Sequence, residues 1–266
     1  MTIHPALRPW LWCCVWLAVI WIPLVMRANE FWLQSHGIPA EATGTPRIIA
    51  IGDSLLGRSL PPAEEFNALL PDGIYWLHVA LDARDFRYFV ALVSGLTRLE
   101  PDIILVEDQL LLNKWAELQS SLLDKEKRYT SAVVSDLFNL PEETLPELIP
   151  FPKEVRLKYL QWAYQSNLRF STQALVFLQK LQEISDRVIV FSLPRAESLS
   201  PGAVEDRWLV MARQKLEPMG IPIIRLGETL PEDFYSDGSH VNDSGRAVRV
   251  AQFQKLVEEI TGAQQP

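Results

Sequence analysis

A chain of 266 residues can hold one large domain or two small ones, and its 48% hydrophobic content supplies ample core material, which excludes disorder as the main state. A formal charge of −8 argues against nucleic acid as a partner, because phosphate binding needs Lys and Arg clustered on one face. The two cysteines, Cys13 and Cys14, are adjacent and cannot staple distant parts of a fold, so no disulfide is expected beyond them.

Residues 10–26 read WLWCCVWLAVIWIPLVM without a charge, between Arg8 on one side and Arg27 and Glu30 on the other. At about 1.5 Å of rise per residue this is one bilayer crossing at the short end of the range, with Pro23 removing one helical hydrogen bond near its far end. Trp10, Trp12 and Trp21 lie near the ends of the run, where indole rings favour the headgroup region. A cleaved signal peptide is the alternative, but Met26-Arg27-Ala28-Asn29 lacks the small-x-small cleavage pattern. The expectation is an uncleaved anchor over residues 1–28 that meets the bilayer through 10–26. The small excess of positive charge before it favours an inside N-terminus and an extracytoplasmic domain, periplasmic in a Gram-negative source.

Residues 29–46, with Gly37, Pro39, Gly44 and Pro46, read as a stalk. The domain then spans 47–262. Its first element is Arg47-Ile48-Ile49-Ala50-Ile51, a β-branched run ending at Gly52, the pattern of a strand buried on both faces. Similar runs fall at 103–106, 188–191 and 221–226, with helical spacing over 86–99, 157–184 and 205–216 between them. This alternation predicts a three-layer α/β domain with a mainly parallel sheet. Residues 113–158 carry many charges and Pro141, Pro146, Pro150 and Pro152; they read either as an insertion over one edge of the site or as helices completing the α layer.

Gly52-Asp53-Ser54-Leu55 follows the first strand, so it falls at the carboxyl edge of a parallel sheet, where open α/β folds place ligands. A glycine there permits a tight turn, and a serine in the next helical turn has a backbone N–H available to an oxyanion. Serine needs a histidine to take its proton, and the histidine needs an acceptor to fix its tautomer. Asp237-Gly238-Ser239-His240 supplies both. Of the other histidines, His4 precedes the anchor, His36 lies in the stalk and His78 precedes the helix expected from Phe86, so His240 is the base candidate. The competing explanation is that Asp237 and Ser239 cap a helix over 245–260.

With these motifs at its two ends, the sequence resembles the GDSL, or SGNH, family of esterases and acyltransferases over residues 47–259. The resemblance implies a flavodoxin-like sheet with Ser54 as nucleophile, His240 as base and Asp237 as its orienting acid. The family's two middle blocks supply oxyanion donors from a glycine and an asparagine. Here the first reads Leu77-His78-Val79-Ala80-Leu81-Asp82-Ala83-Arg84, without a glycine, so the donor would be the backbone N–H of Ala83 or a neighbour. The second reads Glu107-Asp108-Gln109, so Gln109 would donate from its side chain beside a carboxylate that opposes the reaction.

The membrane-linked branch of the family resembling alginate O-acetylation proteins works beside a multispanning acyltransferase. That likeness implies a serine-dependent O-acyl transferase or esterase acting on an exported polysaccharide or another cell-surface ester. The alternative is a catalytically weak glycan-binding or scaffold subunit. Arg195, after the third predicted strand, is a candidate for substrate binding at the same sheet edge. Arg84 and Arg87 around Asp85 read as a solvated face, and Trp76 and Tyr235 as core aromatics. Neither a metal-ligand cluster nor a Gly-rich phosphate loop occurs, so no cofactor is expected.

Overall fold

The structure, a computed structural model, describes residues 47–80, 93–111, 170–200 and 202–262. All of them belong to one of the two compact units into which the chain divides, the unit formed by Ala40–Glu117 and Ile149–Pro266. The anchor at 10–26, the stalk, the insertion at 113–158, and Ala83, Arg84, Asp85 and Arg87 lie outside the described residues. Among the described residues no helix is long and apolar enough to cross a membrane.

Five strands form one sheet: β1 (Arg47–Gly52), β2 (Tyr75–Ala80), β3 (Ile103–Glu107), β4 (Val188–Ser192) and β5 (Ile223–Arg225). Their order is β2-β1-β3-β4-β5 and every neighbouring pair is parallel. This is the flavodoxin-like order, in which the winding direction reverses at the carboxyl ends of β1 and β3. The register sets Ile51 beside Val79 on one side and Val106 on the other, so the loops that leave β1 and β3 open into the same crevice.

The strands β1, β3 and β4 are apolar along their length because both faces are covered. Ile48, Ala50, Leu105 and Phe191 pack in one cluster with Leu56, Phe66, Trp76, Phe253 and Leu256. Each buried Ile, Leu or Phe among them contributes about 1.5–3 kcal/mol relative to exposure. Trp76 is fully buried, with its ring edge-to-face on Phe66 at 5.1 Å and on Phe253 at 5.8 Å. Of the helices, α1 (Ser54–Ser59) packs on β1 and β2, α2 (Ala63–Asn67) packs on β2, and α3 (Val93–Leu99) precedes β3. Three longer ones follow: α4 (Thr172–Gln182), α5 (Gly202–Leu216) and α6 (Asp243–Thr261).

The structure has one strand more than the four apolar runs suggest. β2 reads Tyr-Trp-Leu-His-Val-Ala and only partly buries Tyr75, His78 and Ala80, because among the described residues it is an edge strand with one neighbour. Its mixture of aromatics and a histidine does not form a uniform apolar run. The expected strand over 221–226 contracts to three residues, and the helices expected from 86 and 157 are described from Val93 and Thr172 onward.

Candidate active site

The nucleophile candidate sits on the β1–α1 turn. Asp53 occupies the cap position of α1 with extended backbone, and its Oδ1 accepts the N–H of Leu55 at 2.8 Å. The carbonyl of Asp53 accepts from Gly57 N–H at 3.2 Å, and its own N–H donates to Glu107 Oε2 at 2.8 Å. Leu55 and Leu56 are buried beneath the turn, which fixes the direction in which Ser54 leaves the sheet. Gly52 is required for closeness and not for a left-handed turn, since its φ is not positive. A Cβ at residue 52 would collide with the Glu107 carboxylate and, at 2.6 Å, with the Cβ of Leu56.

The base and acid candidates come from the loop before α6. Tyr235 and Val241 form an antiparallel bridge that closes it, and Ser236 donates to the His240 carbonyl from its N–H at 2.8 Å and its hydroxyl at 3.0 Å. Gly238 turns the chain with φ 82°, a conformation that disfavours side chains, and its carbonyl accepts the N–H of Ala196 from the loop after β4. The cap of α6 is Asn242, whose side chain accepts from Gly245 N–H at 3.1 Å. Capping therefore does not account for Asp237 and Ser239, contrary to the competing explanation. Arg246 in the first turn of α6 donates to the carbonyl of Arg58 at 3.1 Å, tying this helix to α1.

The two loops meet in a chain of hydrogen bonds. His240 Nε2 lies 2.8 Å from Ser54 Oγ, and His240 Nδ1 lies 2.8 Å from Asp237 Oδ2. A carboxylate can only accept, so Nδ1 carries the proton and Nε2 of the neutral ring accepts from the serine hydroxyl. The other oxygen of Asp237 accepts from His240 N–H at 2.8 Å, from Ser239 N–H at 3.1 Å and from the Ser239 hydroxyl at 3.0 Å. Burial alone would raise the pKa of Asp237. The hydrogen bonds from the His240 ring and backbone, the attraction of the ring and the Ser239 N–H outweigh it, holding the carboxyl well below the usual carboxylate range. The Asp237 and His240 side chains are 20% and 16% exposed, so both keep partial contact with solvent.

The other candidates separate. Glu107 is fully buried and its carboxylate lies under Gly52, on the Asp53 N–H. Asp108, also fully buried, accepts from Trp208 Nε1 at 2.6 Å and from Gln109 Nε2 at 3.3 Å. Gln109 is thus engaged with its neighbour, and no hydrogen bond among the described residues joins it to Ser54 or His240. Arg195 follows β4 at the expected edge but is only 4% exposed, and its N–H donates to Glu205 Oε1 at 3.1 Å. Glu205 also accepts from Arg225 at 3.1 Å. Burial pushes the pKa of Glu205 up and Asp108 adds to this, while the Arg195 N–H and the charges of Arg195 and Arg225 pull it down.

Sequence reasoning missed this buried polar layer. Arg249, 1% exposed, donates to the carbonyls of Leu226 at 2.9 Å and Pro194 at 2.6 Å, joining the loops after β4 and β5 to α6. Tyr235 donates to the same Pro194 carbonyl at 3.1 Å. Only tertiary placement buries these charges, and nothing in their spacing signals it. His78, by contrast, accepts from Trp76 Nε1 at 3.2 Å, and burial lowers its pKa to about 4, so it stays neutral at neutral pH. Among the described residues no group of three or more His, Cys, Asp or Glu is arranged to hold a metal ion.

No protein-family model matches this chain, and no curated protein matches it. Solved structures do. A GDSL-like lipase from Bacteroides thetaiotaomicron VPI-5482 is 13% identical with a TM-score of 0.47, covering 87% of this chain and 98% of that one. A catalytic mutant of an acetylxylan esterase from Geobacillus stearothermophilus is 11% identical with a TM-score of 0.45, covering 80% and 94%. A carbohydrate esterase of family 3 from Talaromyces cellulolyticus is 11% identical with a TM-score of 0.41, covering 82% and 99%.

Proposed function

We propose that this protein is a serine-dependent esterase or O-acyltransferase of the SGNH type, with Ser54 as nucleophile, His240 as general base and Asp237 as the acid that orients it. One observation carries the reading: residues 186 positions apart in sequence are joined at 2.8 Å, and the same histidine is joined to a carboxylate at 2.8 Å. In the first step Ser54 Oγ attacks the acyl carbonyl while its proton passes to His240 Nε2. Collapse of the tetrahedral intermediate returns that proton to the departing alkoxide and leaves an acyl-serine. Water or a sugar hydroxyl then gives its proton to His240 and takes the acyl group, restoring Ser54. Asp237 stays ionised and stabilises the imidazolium that forms between the two proton transfers. The Ser54 N–H, in the first helical turn, has no acceptor within its helix and is suited to the oxyanion.

The finer reading is that the acyl group is acetyl, carried to or from an exported polysaccharide by a domain tethered outside the cytoplasm through residues 10–26, beside a multispanning acyltransferase. It is supported by the apolar run at 10–26 and by the sequence resemblance to membrane-linked O-acetylation proteins. Full-length protein in detergent, incubated with p-nitrophenyl acetate and followed by intact mass, tests the chemistry. An acetyl adduct or released nitrophenol that disappears in Ser54→Ala is the expected result. Wild-type protein that gives neither would overturn the reading. Adding an oligosaccharide separates transfer from hydrolysis: acetylated sugar marks a transferase, and acetate alone marks an esterase.

A further inference from the structure

Glu107 is the point at which the sequence departs most awkwardly from the family pattern, because a carboxylate next to an oxyanion would oppose the reaction. Its position gives the carboxylate a partner in the backbone instead. Glu107 ends β3, is fully buried, and directs Oε2 across to β1, where it accepts the Asp53 N–H at 2.8 Å. The same oxygen fills the space that a side chain at residue 52 would need. Asp53 is therefore fixed at three atoms, its N–H on Glu107, its carbonyl by Gly57 and its Oδ1 by Leu55. Ser54 is bonded to that residue, and its hydroxyl must meet His240 Nε2 at 2.8 Å. A shift of the Asp53 peptide moves Ser54 with it.

We propose that Glu107 is a positioning residue for Ser54: its carboxylate anchors the Asp53 peptide so that the serine hydroxyl stays within reach of His240, in space that glycine at residue 52 leaves to it and to Leu56. The proposal rests on the reading of Ser54 as nucleophile. What matters is the reach of the side chain. Shortening it by one methylene withdraws the acceptor by about 1.5 Å, beyond hydrogen-bond distance of the Asp53 N–H, while keeping the charge. Replacing carboxylate by carboxamide keeps the reach and an acceptor oxygen while removing the charge.

The experiment compares full-length wild type, Glu107→Asp and Glu107→Gln at a temperature where circular dichroism finds each folded. Two rates are read: modification of Ser54 by a fluorophosphonate, followed by intact mass, and hydrogen exchange of the Asp53 amide. The Asp variant is expected to label about tenfold to a hundredfold more slowly, the scale of a 1 Å misplacement, with faster exchange at Asp53. The Gln variant is expected to recover most of the labelling rate and the protection. A folded Asp variant that labels at the wild-type rate overturns the proposal, and so does a Gln variant as slow as the Asp one, which would assign the effect to charge. If the Asp variant fails to fold, the Gln variant decides: a tenfold loss with Asp53 still protected overturns it. Wild-type protein that protects Asp53 but is never labelled removes the nucleophile itself, whereas a labelled wild type with an unaffected Asp variant removes only the positioning role.

Discussion

The two arms of the site are held by different means. The Ser54 arm is an outgrowth of the core: it continues β1 directly, stands on the buried Leu55 and Leu56, and is tied to a fully buried glutamate. The His240 arm is a loop that holds itself, through the Tyr235–Val241 bridge, the Ser236 and Ser239 contacts and the left-handed Gly238. It also sets Tyr235 and Val241 in a small apolar cluster with Ala196 and Leu230, and it meets the rest of the protein at polar points, among them Ala196 N–H on Gly238, the Tyr235 hydroxyl on the Pro194 carbonyl and Arg246 on Arg58. One partner is placed by the main core and the other by local hydrogen bonds together with a small apolar cluster. Disturbance of the first should therefore reach the stability of the whole fold, and disturbance of the second should weigh more on rate than on stability.

The sharpest test of that contrast is Asp237→Asn. The amide can present an N–H to His240 Nδ1 and so select the wrong tautomer, and the acylation rate is expected to fall by about 10⁴-fold. The thermal midpoint at neutral pH should fall as well, because the ionised carboxylate that accepts from the His240 ring, the His240 N–H and Ser239 contributes stability there, while the bridge and the Ser236 contacts keep the loop folded. An unchanged midpoint would show that the depressed carboxyl carries no stability. Gly238→Ala should have a smaller effect. A side chain at φ 82° costs about 1–2 kcal/mol, and the rate should fall several-fold as the loop shifts, with Gly238→Asn milder because asparagine tolerates this region. Equal rates in the Ala variant and wild type would mean that the loop is fixed from outside.

Acid titration gives the smallest and most diagnostic differences. Asp237 has a depressed pKa in the folded state, so its contribution to stability is present above the ordinary aspartate value of about 3.9 and is lost as pH falls below it. Asp237→Asn should melt with less acid sensitivity than wild type below about pH 4. His78 behaves in the opposite chemical sense but with the same direction. Its folded pKa is lowered to about 4 from 6.5, so on acidification the unfolded chain takes up a proton before the folded one does. Stability therefore falls between pH 6.5 and about 4. Replacing His78 by Gln should flatten the melting midpoint across that window; an unchanged slope would place the acid sensitivity elsewhere.

The same division explains what could be read from sequence. β1, β3 and β4 stand out because strands covered on both faces must be apolar throughout, and the Gly-Asp-Ser and Asp-Gly-Ser-His runs stand out because their chemistry is local. β2 escapes because an edge strand can carry Tyr75 and His78 at half-buried positions. The true helix cap, Asn242, is two residues beyond His240, and proximity alone could not separate it from Asp237 or Ser239. Glu107 reads as an obstacle in sequence and as a brace in space, since only the pairing of β3 with β1 reveals which atom it meets. Glu205 and Arg249 are ordinary charges in helical segments until the fold buries them.

Ser54 lies on the first strand-to-helix turn of the domain and His240 immediately before its last helix, 186 positions later. During synthesis the serine therefore emerges long before its base. A chain interrupted anywhere ahead of residue 240 carries an unactivated hydroxyl, because serine without a proton acceptor is a poor nucleophile. Under the proposed mechanism reactivity is a report of completion: only a chain made and folded beyond residue 240 would attack an ester.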